Sequence, residues 1–463
     1  MGARKGQRDD AVAILLLVED HEAHDVGSRG LDVKTRVRWA WEAARKSGVK
    51  LRFLSVNVSE NTLNGKHGLQ LQPQVGPILV ELLRRARMGA ERLLPRLAKT
   101  WAKDAPKTMR GNIQAKLGSY GEVMHKRMHA VAVEGSRAAA VGAKDTNMVQ
   151  SACSLWMKDA GSAGRAAEAM LVAAVFATDL SVKAGVPVLV LGRPPGHHAT
   201  CGHDLRLGDT WRAPCGQLPG ASLGGGCFYP SVWLAALHSL RKGHAKRLAY
   251  VDIDAHMPDG VWKEVDHFSK LKKDQRDFLI GKRNSCTGVL FSSIHIDGYP
   301  NQGSSWHSVK QNLKRSFEVR IRDTLLPRSV TQGTASSANQ GLITRYQRWC
   351  NTLDKEMTSF QPDGLFVGLG FDLHQKEAEI SDKKVGRGIS RPHYESFFAN
   401  FTRLPDKAPM VLMLEGGYTK QGVEDGILGT LQGLKLLAQR KGAKKRQQSQ
   451  PHNHKAPKKR RTA

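Results

Sequence analysis

The chain has no long hydrophobic run, no paired-cysteine motif and a shortage of acid, and each absence narrows what it can be. Its apolar stretches, Ala11 to Val18 among them, are far short of the ~18 residues a membrane-spanning helix needs, so no membrane partner is expected. No charged start, apolar stretch and small-residue cleavage site stand in the order of a secretory signal. The six cysteines (Cys153, Cys201, Cys215, Cys227, Cys286 and Cys350) include no CxxC pair. In so long a chain they read as reduced thiols rather than a disulfide framework. Against 42 Asp and Glu stand 71 Lys and Arg, a net charge of +29. Such a surface favours polyanions, nucleic acid first among them. No segment repeats another.

What is present suits a large core. With 463 residues, 40% hydrophobic, and nine Trp, the chain has room for one large α/β domain with insertions or for two domains. Strands are expected at Ala11 to Val18, Val49 to Val56, Val186 to Leu191, Leu248 to Ile253, Val289 to His295, Leu365 to Leu369 and Val411 to Leu414. Helices are expected at Asp32 to Ser47, Ala163 to Ala184, Ser231 to Lys242, Ile343 to Phe360, Pro392 to Arg403 and Gly422 to Gln439. Strands alternating with helices imply an α/β fold: a single, mainly parallel sheet with helices on both faces. About residues 61–122 the pattern changes to a basic insertion with two short helices punctuated by Pro77 and Pro95. Ten Lys and Arg lie between Pro77 and Gly118 against three acids. This reads as a solvated helix face, with a docking surface for nucleic acid or another partner as the alternative. The catalytic domain is expected over 11–439. The tail from Arg440 to Ala463, with ten Lys and Arg and no acid, is expected to be disordered and to direct nuclear import or contact nucleic acid.

The stretch LAYVDIDAHMPDGV, Leu248 to Val261, organises the rest. Asp252, Asp254 and His256 alternate, so on a strand they share a face. At the carboxyl end of a parallel strand they stand where ligands bind. Two carboxylates and an imidazole there call for a cation; a salt-bridged strand end is the plainer alternative. Three other expected strands also end in reactive residues: Arg193 to Ala199 (RPPGHHA), Gly370-Phe371-Asp372, and Glu415-Gly416-Gly417-Tyr418.

RPPGHHA, DxDxH, GFD and LEGGY, in this order, resemble the zinc-dependent histone deacetylase family, which shares its fold with arginases. The resemblance spans roughly Val18 to Leu437. It implies one catalytic zinc ion held by Asp254, His256 and Asp372, and a structural monovalent cation. It implies His198 as general base, with His197 as its tandem partner. Asp252 and Asp259 would orient His197 and His198 respectively. Tyr418 would donate to the developing oxyanion, and Gly416 and Gly417 would let its loop swing inward. Gly226 and Tyr299 match the walls of the acyl-lysine tunnel, and Asp145 is a weaker echo of a substrate-binding residue. Glu379, read without gaps from Asp372, resembles the acid of the polyamine-preferring branch.

The chain departs from the family at Met257-Pro258, Gly226 and Pro230-Ser231. It also carries longer loops at about 200–223, with Cys201, His203 and Cys215, and at about 262–283. The implied activity is deacetylation of ε-acetyl-lysine in histones or other proteins, in the nucleus and also the cytoplasm. Acetylpolyamine hydrolysis, an arginase-like reaction and a chromatin-binding scaffold are the alternatives. Leu373-His374-Gln375-Lys376 after Asp372 lacks the further acids of a two-manganese site.

Overall fold

The computed structural model describes residues 11–23, 34–58, 81–90, 92–93, 96, 160–199, 227, 229–282, 284, 286–296, 310–314, 317–326, 335–379 and 388–449. Its strands are β1 (Ala13–Val18), β2 (Leu51–Val56), β3 (Val188–Leu191), β4 (Arg247–Asp252), β5 (Gly288–Ile296), β6 (Lys310–Lys314), β7 (Phe317–Leu326), β8 (Gly364–Leu369) and β9 (Met410–Leu414). They form one sheet in the order β2-β1-β3-β9-β8-β4-β5-β7-β6. All neighbours are parallel except β6 and β7, which pair antiparallel at one edge. The expected α/β class with a single, mainly parallel sheet is therefore the one observed.

The central strands read as continuous apolar runs because both of their faces are covered. Leu248 and Tyr250 of β4 enter the core on one side, and Ala249 and Val251 the core on the other. The first core packs against α2 (Ala160–Ala184), α3 (Ser231–Lys242), α4 (Asp259–Lys270) and α5 (Lys273–Ile280). The second packs against α1 (Thr35–Lys46), α6 (Ala335–Phe360), α7 (Arg391–Ala399) and α8 (Lys420–Ser449). In α2 the small side chains of Ala173, Ala174 and Ala177 let the helix sit close on the sheet, and it is buried almost all round from Ala166 to Leu180.

The order of strands positions the site. β3, β9, β8 and β4 are consecutive neighbours, and these are the four strands whose carboxyl ends carry the reactive motifs. Because they run parallel, their ends form one row.

Several expectations are corrected. β4 ends at Asp252, so Asp254 and His256 stand on the following loop rather than on the strand face. The segment 262–283, expected as a loop insertion, is α4 and α5, with Val261, Trp262, Val265 and Phe268 buried at helical spacing. Within the basic insertion, residues 81–90 and 92–93 are helical. Leu83, Ala86, Ala90 and Leu93 join the first core, while Arg84 and Arg85 face outward. The tail is not disordered from Arg440: α8 runs to Ser449. The remainder of the tail, most of 61–122 and the loop 200–223 lie outside the described residues, as do Cys201, His203 and Cys215.

Candidate active site

The loop after β4 folds back on itself through its own carboxylates. Asp252 Oδ1 accepts from the Asp254 amide (3.0 Å), and Asp254 Oδ1 from the His256 amide (2.8 Å). Asp372, three residues beyond β8, accepts from the Ala255 amide with Oδ1 (2.7 Å). His256 Nδ1 then faces Asp254 Oδ1 at 2.9 Å and Asp372 Oδ2 at 2.7 Å. Asp254 and Asp372 are fully buried, and His256 is partly open. Asp254 Oδ2 takes the Gly416 amide at 2.7 Å, joining the end of β9 to the cluster.

The tandem histidines approach from the end of β3, with ring centroids 4.1 Å apart; those of His198 and His256 are 6.1 Å apart. His198 Nδ1 meets Asp259 Oδ1 at 2.9 Å, which leaves Nε2 as the nitrogen free of that carboxylate. Asp259 Oδ2 is held by Lys263 Nζ at 3.0 Å, one turn along α4. His197 Nδ1 stands 3.4 Å from Asp252 Oδ2, an oxygen that also accepts from the Tyr250 hydroxyl at 2.6 Å. Helix α4 can begin here because Gly260 has no side chain: a Cβ would run into the backbone of His198 and Ala199. The Val261 amide then donates to His197 O at 3.0 Å.

The loop carrying Tyr418 is tied at both sides. Glu377 Oε1, buried, accepts from the amides of Tyr418 and Thr419 (both 2.9 Å) and from the Thr419 hydroxyl (2.8 Å). The Arg36 guanidinium lies 4.9 Å from the Tyr418 ring centroid and donates to Glu415 O. The glycines before Tyr418 permit close packing. A Cβ on Gly416 would collide with the Asp254 and Asp372 carboxylates, and Gly417 has a φ of +105°.

Charge sorts these groups. Burial disfavours an imidazolium at His256, yet Asp372 and Asp254 outweigh it and push its pKa up to about 9. At His197, too, burial is overcome, and Asp254 and Asp252 raise it well above the ordinary value. Burial, followed by the neighbouring His197, lowers His198 and keeps it neutral.

Among the described residues, two groups of side chains could hold a metal: Asp254, His256 and Asp372, and His197, Cys227 and Glu415, each with ligand atoms within 4.8 Å of one another. The first fits. Two buried carboxylates call for positive charge, which a proton on His256 supplies in part and a divalent cation would supply in full, with the imidazole neutral. The second does not fit. Burial raises the Cys227 thiol well above its ordinary value, so it favours the protonated form, and moves Glu415 up to about 7. Glu415 instead orders the histidine loop, its Oε2 accepting from the amides of Gly196 (2.8 Å) and His197 (3.2 Å).

Of the residues expected from sequence, the structure brings together His197, His198, Asp252, Asp254, His256, Asp259 and Asp372; Tyr418 follows two residues after Gly416, whose amide donates to Asp254, and its ring rests against Arg36. Gly226, Tyr299 and Asp145 lie outside the described residues. Glu379 ends the short 3-10 turn Gln375–Glu379, and its side chain is likewise outside them. Sequence reasoning missed the supporting roles of Glu415, Glu377, Lys263 and Arg36. Glu415 had a signal, an acid closing an otherwise apolar strand. Arg36, on a helix with no motif, had none.

The sequence matches the family model of the histone deacetylase domain over residues 99–434. The match begins after β1, α1 and β2, although β1 and β2 belong to the same sheet as the rest. The chain is 26% identical over 234 residues to the "Type-2 histone deacetylase 2" of Dictyostelium discoideum, covering 49% of this chain and 11% of that one. It is 24% identical over 272 residues to the "Acetylpolyamine amidohydrolase" of Mycoplana ramosa, covering 58% and 62% respectively. The chain thus spans less than two thirds of the length of either relative. Among solved structures, the HDA15 HD domain is similar with a TM-score of 0.48 at 15% identity, over 92% of this chain and 90% of that one.

Proposed function

The chain belongs to the histone deacetylase family, and on that premise we propose that it is a zinc-dependent amidohydrolase acting on ε-acetyl-lysine in proteins. The observation that carries this reading is the convergence of Asp254, His256 and Asp372 beside the His198–Asp259 pair. A zinc ion held by those three residues would supply Lewis acidity, polarising the amide carbonyl and acidifying water.

The rest of the chemistry falls to side chains of the chain itself. His198, neutral and with Nδ1 engaged by Asp259, takes a proton from the attacking water at Nε2. Asp259 favours the resulting imidazolium, and Lys263 moderates that preference. The same Nε2 proton passes to the leaving amine as the amide C–N bond breaks. Tyr418, its loop pinned by Glu377 and its ring beneath Arg36, donates its hydroxyl to the carbonyl oxygen as charge develops there.

A second reading, hydrolysis of acetylated polyamines, is favoured by the similarity to the Mycoplana ramosa protein and by an acid at Glu379. Rates on acetyl-lysine peptides, acetylpolyamines and arginine separate the possibilities. The proposal expects the peptides to be the best substrates. Faster polyamine turnover, shifted towards peptides by Glu379→Leu, would select the second reading, and release of urea from arginine would sink both.

A further inference from the structure

At the amino-terminal edge of the sheet, opposite the site just described, three arginines are brought together from distant parts of the chain. Helix α3 ends at Arg241 and Lys242 just before β4, and α5 ends at Ile280 shortly before β5. Arg92 and Arg96 come from the basic insertion. Arg96 Nη1 donates to Phe278 O (2.8 Å) and Arg241 Nη1 to Leu279 O (2.7 Å), two successive carbonyls in the last turn of α5. Those bonds cap the helix and suit its dipole, but they leave the positive charges without a carboxylate among the described residues. Burial, and then the charges of Arg96 and Arg92, hold the Arg241 guanidinium below its ordinary value. This charge is concentrated rather than dispersed.

A second observation falls at the same place. Phe278, 39% exposed, is the one exposed large hydrophobic side chain among the described residues. The Arg96 guanidinium lies 5.1 Å from its ring centroid. A solvated helix face accounts for the arginines but gives no reason to expose a phenyl ring among them.

We infer that Arg92, Arg96, Arg241 and Phe278 form a docking site for single-stranded nucleic acid, the arginines meeting phosphates and Phe278 stacking on a base. Clustered guanidinium groups suit a phosphate backbone, and a partly exposed aromatic ring among them suits an unpaired base. An acidic peptide would use the charge and leave the ring unused. The net charge of +29 draws such a strand towards the chain. The site lies away from the catalytic row, so occupation leaves the amide-hydrolysing residues untouched.

The test is fluorescence anisotropy of a short labelled single-stranded oligonucleotide with the full chain, across a salt series. Affinity should fall with salt. Arg92→Glu and Phe278→Ala should each weaken binding by about tenfold, Phe278→Trp should retain it, and the turnover of an acetyl-lysine peptide should not change. Replacing Lys458, Lys459, Arg460 and Arg461 by Gln should reduce affinity without abolishing the effect of Phe278→Ala. The inference is overturned if all binding is lost with the tail charges while Arg92→Glu and Phe278→Ala bind as wild type. It is equally overturned if duplex DNA, an acidic peptide or anionic vesicles compete as well as the single strand and Phe278→Ala has no effect.

Discussion

At the scale of residues, Asp259 is shared between His198 and Lys263, so the proposed base is oriented by a carboxylate whose own charge is partly met. Burial lowers the pKa of His198 while Asp259 opposes the shift, which keeps Nε2 able to accept a proton at neutral pH. His198→Ala should therefore cut turnover by ~10²–10⁴, and Tyr418→Phe by ~10²–10³. Metal content should be unchanged in both, since neither side chain belongs to the Asp254, His256 and Asp372 group. Near-normal rates in either variant, measured alongside metal analysis, would show that the roles are misassigned. The residues that converge in the candidate site were legible because few residue types can do such chemistry and they recur at strand ends. The residues that hold them were not. Lys263 lies one turn after Asp259, a relation visible only once 259–270 is read as a helix. Arg36 reaches Glu415 and Tyr418 across most of the chain's length, a contact no local pattern announces.

At the scale of elements, the strands buried on both faces were the easiest to read. β3, β8 and β9 are short, unbroken apolar runs. β7 was missed although Phe317, Val319 and Ile321 alternate with Glu318, Arg320 and Arg322. Its charges look like surface until Glu318 is seen to meet Arg247 (2.7 Å) and Arg320 to meet Glu356 (2.8 Å). Helix packing raises a separate, testable matter. Asp179 of α2 accepts from His238 Nε2 of α3 (2.9 Å) and from His244 Nε2 just beyond it (3.0 Å). Burial works to raise the Asp179 pKa, but the two histidines outweigh it and hold it well below the usual carboxylate range. A depressed carboxylate stabilises the fold above its unfolded value of ~3.9 and loses that contribution as pH falls through the folded value. Thermal melts from neutral pH downward should show Asp179→Asn less stable than wild type at neutral pH, with the difference shrinking as pH falls below about 4. A difference that does not change with pH would mean that the carboxylate's charge contributes nothing.

At the scale of the whole molecule, one sheet sets two ends apart. The carboxyl ends of β3, β9, β8 and β4 gather acid, histidine and Tyr418, while the amino-terminal edge gathers arginine. The central claim rests on the first end: Asp254, His256 and Asp372 are a metal site, and the amide chemistry depends on it. The most direct measurement is metal stoichiometry of the purified full chain by elemental analysis, run on wild type and on Asp372→Ala, with folding checked by circular dichroism. The account predicts one zinc per chain in wild type, and loss of both zinc and deacetylase activity in a variant that stays folded. Full zinc occupancy in folded Asp372→Ala would contradict it.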